Sequence, residues 1–318
     1  MYLRDGRILL GVPPMTEPAY KIESYGSRRE WLELRRSGLG ASDVAAVVGE
    51  SPWATPLQVW MSKVEDDAPE AETNEDMEWG LRMERLILDE TCARLGADPA
   101  LYAPLLRSAE RSWMMATPDL LATIDGISVV IEAKKVDAWS WDEIPPQYMY
   151  QVQWQLAVAG YEVAYLAALH RGRRLELYMV ERDEEVIGRL VEAGGRFWES
   201  VEAVEPPPVS AADNEYLGDL WPDSVDSAAE IPEDLAGELA AAKAASKEAK
   251  ERLDLVSARV KEAMGHADTA VVGDRVVATW RTSTSRRLDT KLLRAEEPDL
   301  ADTYTKESSS RRFLIKDG

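Results

Sequence analysis

Asp125 and Gly126 constrain the folding of everything around them. A type I′ turn needs φ > 0 at both central positions, and Asp-Gly meets that need at little steric cost. The flanking runs, T-P-D-L-L-A-T-I before the turn and I-S-V-V-I-E-A-K-K after it, read as two antiparallel strands. Counting outward from the turn, Ile124 faces Ile127 and Asp119 faces Glu132. Side chains alternate faces along a strand. Val130, Glu132 and Lys134 therefore share one face, and Val129, Ile131 and Ala133 the other. Two carboxylates and an amine thus lie on one side of an apolar ribbon. Such charges are costly to bury unless they bind something. A divalent cation suits them, because Mg²⁺ takes one or two carboxylates and completes its shell with water and phosphate oxygens. The other reading is an exposed strand on which Glu132 and Lys134 simply pair. The upstream Pro118-Asp119, the register and the apolar flanks favour the metal.

Composition narrows the chemistry further. The chain has 318 residues, enough for one large or two ordinary domains, and 45% of them are hydrophobic, enough for a core. A net charge of −21 argues against a general nucleic-acid coat and would confine any DNA contact to a local basic groove. The single cysteine, Cys92, rules out an intrachain disulfide and fits a reducing cytoplasm; it reads as a small buried helix residue. His170 and His266 are the only histidines, too few for histidine-rich zinc sites or serine–histidine triads. No apolar run is long enough for a bilayer, so no membrane association is expected. No Walker A loop is present, so no ATP dependence is expected.

Residues 1–27 are turn-rich and read as an arm. Ser27 caps a helix that runs to Ser37 and carries Trp31, Leu34 and Arg35. In G-L-G-A-S-D-V-A-A-V-V-G, Ser42 is the expected N-cap of a helix from Asp43 to Val48, closed by Gly49. Thr55 caps the next helix, with Pro56 in its first position. Residues 64–76 are an acidic loop. A helix over 76–95 places Trp79, Met83, Leu86, Ile87 and Glu90 on its broad buried face, with Gly80, Glu84 and Leu88 on the neighbouring stripe. A strand within 101–116 leads into the hairpin. Beyond it, Trp139 and Trp141 read as interior packing, with stacking on DNA ends as the alternative. The helix from Pro145-Pro146 to Gly160 aligns Gln147, Gln151 and Gln155 beside Tyr148, as a polar groove wall or a solvent-facing amide row. Strands over 161–169 and 175–180 flank the basic turn His170–Arg174, and a helix over 183–204 ends at Pro206-Pro207-Pro208, the expected domain boundary.

The remainder reads as an appendage. Residues 209–232 are acidic and loop-like. An Ala-, Lys- and Glu-rich helix over 233–264 has Leu235, Leu239, Leu253, Leu255, Val256 and Val260 as its apolar positions and is expected to pair with another helix. A hairpin turns at Gly273-Asp274, followed by W-R-T-S-T-S-R-R and a final S-R-R-F-L-I-K strand. Arg281, Arg286, Arg287, Arg311 and Arg312 are its basic concentrations, a candidate DNA or protein contact.

Pro118-Asp119 followed by Glu132-Ala133-Lys134 resembles the PD-(D/E)XK nuclease signature. W-L-E-L-R-R-S-G-L-G-A-S-D, S-P-W-A-T-P-L-Q-V-W, W-G-L-R-M-E and Y-M-Y-Q follow one another in the order seen in the lambda-exonuclease and YqaJ-type viral recombinase family. The resemblance covers roughly residues 28–200. It implies an α/β fold, a PD-(D/E)XK restriction-endonuclease-like core of mixed sheet flanked by helices. That core spans 28–205, after the 1–27 arm, and 206–318 forms a C-terminal helix-plus-hairpin extension.

The resemblance also assigns roles. Arg35 and Ser42 match residues that contact a terminal 5′-phosphate, as a guanidinium and a hydroxyl at a helix N-terminus can; otherwise Ser42 only caps and Arg35 is solvated. Glu84 matches a helix glutamate that joins the metal site, and Tyr148 and Gln151 match the tyrosine and glutamine beside the catalytic hairpin. Ala109 stands where a further acid is found, with Glu110 next to it. The implied reaction is phosphodiester hydrolysis. Asp119, Glu132, Glu84 and the Ala133 carbonyl would hold Mg²⁺, or Mn²⁺, with Lys134 at the developing oxyanion. The implied activity is 5′-to-3′ degradation of duplex DNA from its ends, leaving 3′ single strands for an annealing protein. The implied assembly is a homo-oligomer, a trimer, in the cytoplasm of a bacterial host, with phage or prophage origin. A structure-selective endonuclease on the same core and a non-catalytic DNA-binding scaffold are the alternatives.

Overall fold

The computed structural model describes residues 19–64, 75–221, 223–286, 288–306 and 311–316. Most of the expected arm, the core of the acidic loop, Arg287 and residues 307–310 lie outside the described residues. In chain order the elements begin with β1 (Tyr20–Glu23), α1 (Arg28–Arg36), α2 (Val44–Val47), α3 (Pro56–Val64) and α4 (Glu75–Leu95). Next come β2 (Asp98–Tyr102), β3 (Leu105–Ser108), β4 (Met115–Ala116), β5 (Leu120–Ile124) and β6 (Ile127–Val136). They continue with α5 (Pro146–Ala159), β7 (Val163–His170), β8 (Arg174–Glu181), α6 (Glu184–Glu202) and α7 (Asp213–Leu220). The last are α8 (Glu233–Met264), β9 (Thr269–Val272), β10 (Arg275–Thr279), α9 (Thr290–Glu296) and α10 (Pro298–Thr303). The chain divides after Leu220 into two compact units.

A five-stranded sheet in the order β2-β5-β6-β7-β8 organises the first unit. Asp125 and Gly126 sit at φ 50° and 82°, as a type I′ turn requires, and Ile124 pairs with Ile127. The expected hairpin register is therefore the observed one. β6 and β7 run parallel and are joined through α5, since parallel strands need a crossover. Gly160 takes φ 68° and ends α5, as anticipated. β7 and β8 form a second hairpin whose turn places Arg171 and Gly172 at φ 51° and 66°.

The alternation of β6 splits the core in two. Val130 joins a cluster with Leu121, Ala164 and Leu166 from the sheet, Trp154 from α5, Val44 from α2, Trp60 from α3 and Phe197 from α6. Val129, Ile131 and Ala133 join the opposite cluster, with Ile87 and Leu88 of α4. Helices thus cover both faces of a mixed sheet, the architecture expected of a PD-(D/E)XK core. A smaller sheet, β1-β3-β4, lies apart from it and recruits the end of the expected arm as a strand.

Several local expectations are corrected. Ser42 does not cap α2: Asp43 occupies that position, in αR conformation and with no capping bond to the helix. On α4 the buried residues are Ile87, Leu88 and Thr91, while Trp79, Leu86 and Glu90 are exposed. Ile87 from the expected face and Leu88 from the Glu84 stripe together meet the sheet, with Met83 packed beside them, and Trp79, Leu86 and Glu90 drop out of that face. Residues 209–232 contain α7, fixed by the Asp213 carboxylate, which accepts hydrogen bonds from the Thr55 hydroxyl and the Ser210 amide and hydroxyl.

In the second unit the hairpin turns at Gly273 as expected. α8 buries none of its residues, so the anticipated helix pairing is not made by the described chain. Residues 311–316 are irregular rather than a strand, and α9 and α10 occupy a stretch the sequence pattern left unassigned.

Candidate active site

β6 carries the centre of the site out of the core. Glu132 pairs with Leu166 of β7 in the sheet, and the residue is only 1% exposed. A lone carboxylate there would be untenable, because burial of an unpartnered charge costs several kcal/mol. Three donors hold it. Lys134 Nζ lies 2.6 Å from Oε1, Gln151 Nε2 donates to Oε1 at 2.5 Å, and Gln155 Nε2 donates to Oε2 at 2.7 Å. Lys134 shares the face of Glu132 by strand alternation, and Gln151 and Gln155 stand one helical turn apart on α5. The glutamine row is thus an inward-facing wall, not a solvent-facing one, at its last two positions.

Asp119 lies just before β5, one step beyond the Leu120–Ile131 pair, and its Oδ2 accepts the Ala133 amide at 2.7 Å. The hydrogen bond ties the aspartate to the same residue whose carbonyl is the expected backbone donor. Burial, then the Glu132 charge, push the Asp119 carboxyl well above its ordinary range, with Glu84 adding to the effect. Glu84, half-buried on α4, is raised by burial and by Glu132 in turn. Lys134 moves upward despite burial, because Glu132 and Asp119 both favour its charged form. Asp119, Glu132 and Lys134 are therefore brought together, and Glu84 stands near enough for its charge to act on Asp119.

Among the described residues, no three carboxylate, histidine or cysteine groups stand close enough to enclose an ion unaided. A closed protein cage is not what Mg²⁺ needs, since it keeps most of its water and takes one or two carboxylates. Asp119 and Glu84, each pushed upward first by burial and then by neighbouring negative charge, fit a cation that offsets both effects. Gln155 adds a second sign. It is wholly buried, and its Oε1 is the one buried side-chain polar atom among the described residues without a hydrogen-bond partner. Such an orphan calls for a donor such as ordered water. Gln155 belongs to the glutamine row in the sequence, but only Gln151 matches the family motif. The i+4 spacing was the signal that would have included it.

Tyr148, at the start of α5, lies with its ring 5.7 Å from Lys134 Nζ and 5.2 Å from Trp141. Trp141 also meets His170 and Tyr178, so it packs as expected. Trp139 is exposed instead, covered on one side by the Arg171 guanidinium at 4.2 Å. Glu110 is exposed and paired with Arg111 at 3.0 Å, and the charges acting on Asp119 come from other residues.

Arg35 and Ser42 also meet. The Arg35 guanidinium, stacked over Trp31, donates to Ser42 Oγ at 3.4 Å and to Asp43 Oδ1 at 3.3 Å. Asp43 Oδ2 accepts from Lys63 Nζ at 2.8 Å and from the Gly40 amide at 3.2 Å. Burial would raise the Asp43 carboxyl, but Lys63 and Arg35 hold it below the ordinary range. The guanidinium and hydroxyl are thus set side by side by a carboxylate, not by a helix terminus.

Residues 30–162 match the YqaJ-like viral recombinase domain. The chain is 30% identical over 306 residues to an uncharacterized protein, YqaJ, of Bacillus subtilis, covering 92% of this chain and 95% of that relative. Among solved structures it is similar to an alkaline exonuclease from Laribacter hongkongensis, at 20% identity and TM-score 0.47, over 59% of this chain and 95% of that one. It is also similar to a phage-related exonuclease from Haemophilus somnus 129PT, at 12% identity and TM-score 0.39, over 55% and 97% of the two chains.

Proposed function

Because the chain belongs to the YqaJ-like viral recombinase family, we propose that it is a metal-dependent deoxyribonuclease that degrades duplex DNA from its ends. Glu132 is the observation that carries this reading. A buried carboxylate held by a lysine and two glutamines, with Asp119 alongside, is a costly arrangement for structure alone. It suits phosphodiester hydrolysis, where charge must be offset at a scissile phosphate.

Asp119, Glu132 and Glu84, with the Ala133 carbonyl, would hold Mg²⁺ or Mn²⁺. A bound ion would supply a water of lowered pKa and neutralise negative charge on the phosphoryl oxygens. Lys134, kept protonated by its acidic neighbours, donates to the developing oxyanion. Gln151 and Gln155 fix both oxygens of Glu132, which spares the carboxylate reorganisation as the reaction proceeds. Arg35 and Ser42 take the terminal 5′-phosphate by a charge-assisted bond and a hydroxyl. Tyr148 lines the approach beside Lys134.

In this reading the direction is 5′ to 3′, without ATP, and the product is a 3′ single strand passed to an annealing protein in phage-type recombination. The working form is a homo-oligomer, a trimer, in the bacterial cytoplasm. The exonuclease core spans 28–205, and 206–318 extends it, beginning with α7, which Asp213 ties to Thr55 of the core. The test is a linear duplex labelled at either the 5′ or the 3′ end, with 5′-phosphoryl and 5′-hydroxyl versions of each. Early release of the 5′ label, faster from phosphorylated ends, is expected. Early release of the 3′ label would overturn the polarity, and equal rates on the two ends would remove Arg35 and Ser42 from the proposed contact.

A further inference from the structure

We propose that the pocket beside Trp53 is a subsite for one unpaired nucleobase at the end of the DNA strand being degraded, an inference that rests on the nuclease reading above. Trp53 lies in the loop between α2 and α3 and is 66% exposed. A single exposed tryptophan is ordinary by itself. This one is presented by a rigid loop, beside a shaped cavity, one aromatic neighbour from Lys134.

The loop is fixed from three sides. Ser51 Oγ accepts the amides of Trp53 and Ala54 at 3.2 and 3.3 Å, a side-chain turn that fixes the backbone carrying the indole. Thr55 and Gln58 then form a reciprocal cap: the Gln58 amide donates to Thr55 Oγ1 at 3.2 Å, and the Thr55 amide to Gln58 Oε1 at 2.9 Å. The Thr55 hydroxyl donates in turn to Asp213 of α7, which ties the cap across the unit. With its backbone fixed and its ring against Tyr148, Trp53 loses less entropy when a ligand stacks on it than an indole on a loose loop would.

The cavity beside it measures about 330 Å³ and is lined by Ser51, Trp53, Thr55, Gln58 and Tyr216, among others. None of its lining residues carries a charge. That composition excludes phosphate as the main ligand in a chain of net charge −21, because a phosphate would meet no cation there. An aromatic face beside the Gln58 amide nitrogen and the Ser51 hydroxyl, both able to donate, is instead the chemistry that takes a base, by stacking and by hydrogen bonds to its edge. The volume lies at the small end of ligand sites, suited to one nucleoside-sized group.

Position relates the pocket to catalysis. The Trp53 ring lies 5.7 Å from the Tyr148 ring at a tilt of 42°, and Tyr148 lies 5.7 Å from Lys134 Nζ. A nucleotide whose base rests on Trp53 would therefore be close in sequence to the phosphate at Lys134. Holding that base would keep the strand end melted and in register for the next cut.

The test is binding of full-length protein, in Ca²⁺ without turnover, to a duplex whose terminal three nucleotides are unpaired. Single abasic substitutions are placed at each unpaired position in turn. Wild type is expected to lose about ten-fold in affinity at one position, the scale of one base–aromatic stack. Trp53→Phe keeps that abasic penalty. Trp53→Ala and Trp53→Leu abolish it, the leucine guarding against misfolding by preserving apolar bulk. A 2-aminopurine at the same position should be quenched by wild type and not by the alanine variant. An abasic penalty unchanged in both Trp53→Ala and Trp53→Leu, or no penalty at any position in wild type, would overturn the subsite. The outcomes separate from catalysis: a Trp53-dependent penalty in a protein that never cuts DNA keeps the subsite and sinks the nuclease, and cutting without such a penalty does the reverse.

Discussion

Asp119 shows most directly how a site of this kind strains its own fold. Its carboxyl is held above the usual range by burial and then by Glu132. The folded state therefore favours the protonated form, so ionisation costs stability. That cost is absent below the unfolded carboxylate pKa of about 3.9 and accumulates as pH rises through the raised folded value. Asp119→Asn should consequently raise the thermal midpoint at neutral pH in chelator by a few degrees, since one kcal/mol shifts a unit of this size by about 2–4 °C. Differential scanning calorimetry checks this, and a lowered midpoint would contradict it. Gln155 makes the complementary case. It holds Glu132 Oε2 while its own Oε1 is left without a partner. Gln155→Leu should weaken Mn²⁺ binding about 10- to 100-fold, the usual cost of losing a group that orients a metal ligand. Titration calorimetry without DNA measures it, and unchanged affinity would assign the glutamine to packing alone.

Among the elements, α3 is joined to the α1–α2 segment by the Lys63–Asp43 pair, whose side chains are 4% and 15% exposed. Lys63 also donates to the Arg35 carbonyl at 3.1 Å. Lys63→Met would leave the buried Asp43 carboxylate with Arg35 as its remaining counter-charge, so it should destabilise the protein by about 3 kcal/mol. The pH dependence has a sign. Asp43 is depressed when folded, so its contribution is present above the unfolded carboxylate pKa and lost as pH falls through the folded value. Acid unfolding of the variant should begin nearer neutrality than that of wild type, as followed by circular dichroism, and coincident curves would count against the pair.

The elements differ in how legible they were in the sequence, for physical reasons. The β5–β6 hairpin was readable because Asp-Gly admits few turn geometries and alternation then fixes every partner. The α4 face is legible at Ile87 but not at Trp79 and Leu86, because apolar residues surround much of that helix and only packing on the sheet selects Ile87 and Leu88. Ser42 was misread as a cap because local preference favours serine there, while Asp43 is drawn into that place by Lys63 and Arg35, residues distant in sequence. Gln155 lacked a motif of its own, and its contact with Glu132 depends on the β6–α5 approach.

At the scale of the whole molecule, the chain divides into a unit that holds the acidic site and a second unit from Trp221 onward. α7 belongs with the first, through Asp213 and Thr55. The second unit carries Arg281, Arg286, Arg311 and Arg312 in a strongly acidic chain, and proposed DNA contact there would be electrostatic. Deleting 221–318 should leave the first unit folded, lower duplex affinity by fluorescence anisotropy and reduce the salt dependence of binding. Equal affinity and equal salt slope would remove the second unit from the DNA contact. No helix among the described residues is long and apolar enough to cross a membrane.

Degradation of linear duplex compared with covalently closed plasmid, in Mg²⁺ with and without chelator, tests the central claim most directly. Wild type should digest the linear DNA, leave the closed circle intact and stop when the ion is removed. Glu132→Gln should be slower by at least about 10²-fold, the scale of losing one group that stabilises the transition state. Intact linear DNA under all conditions, or digestion that persists in chelator or in the Glu132→Gln variant, would contradict the account.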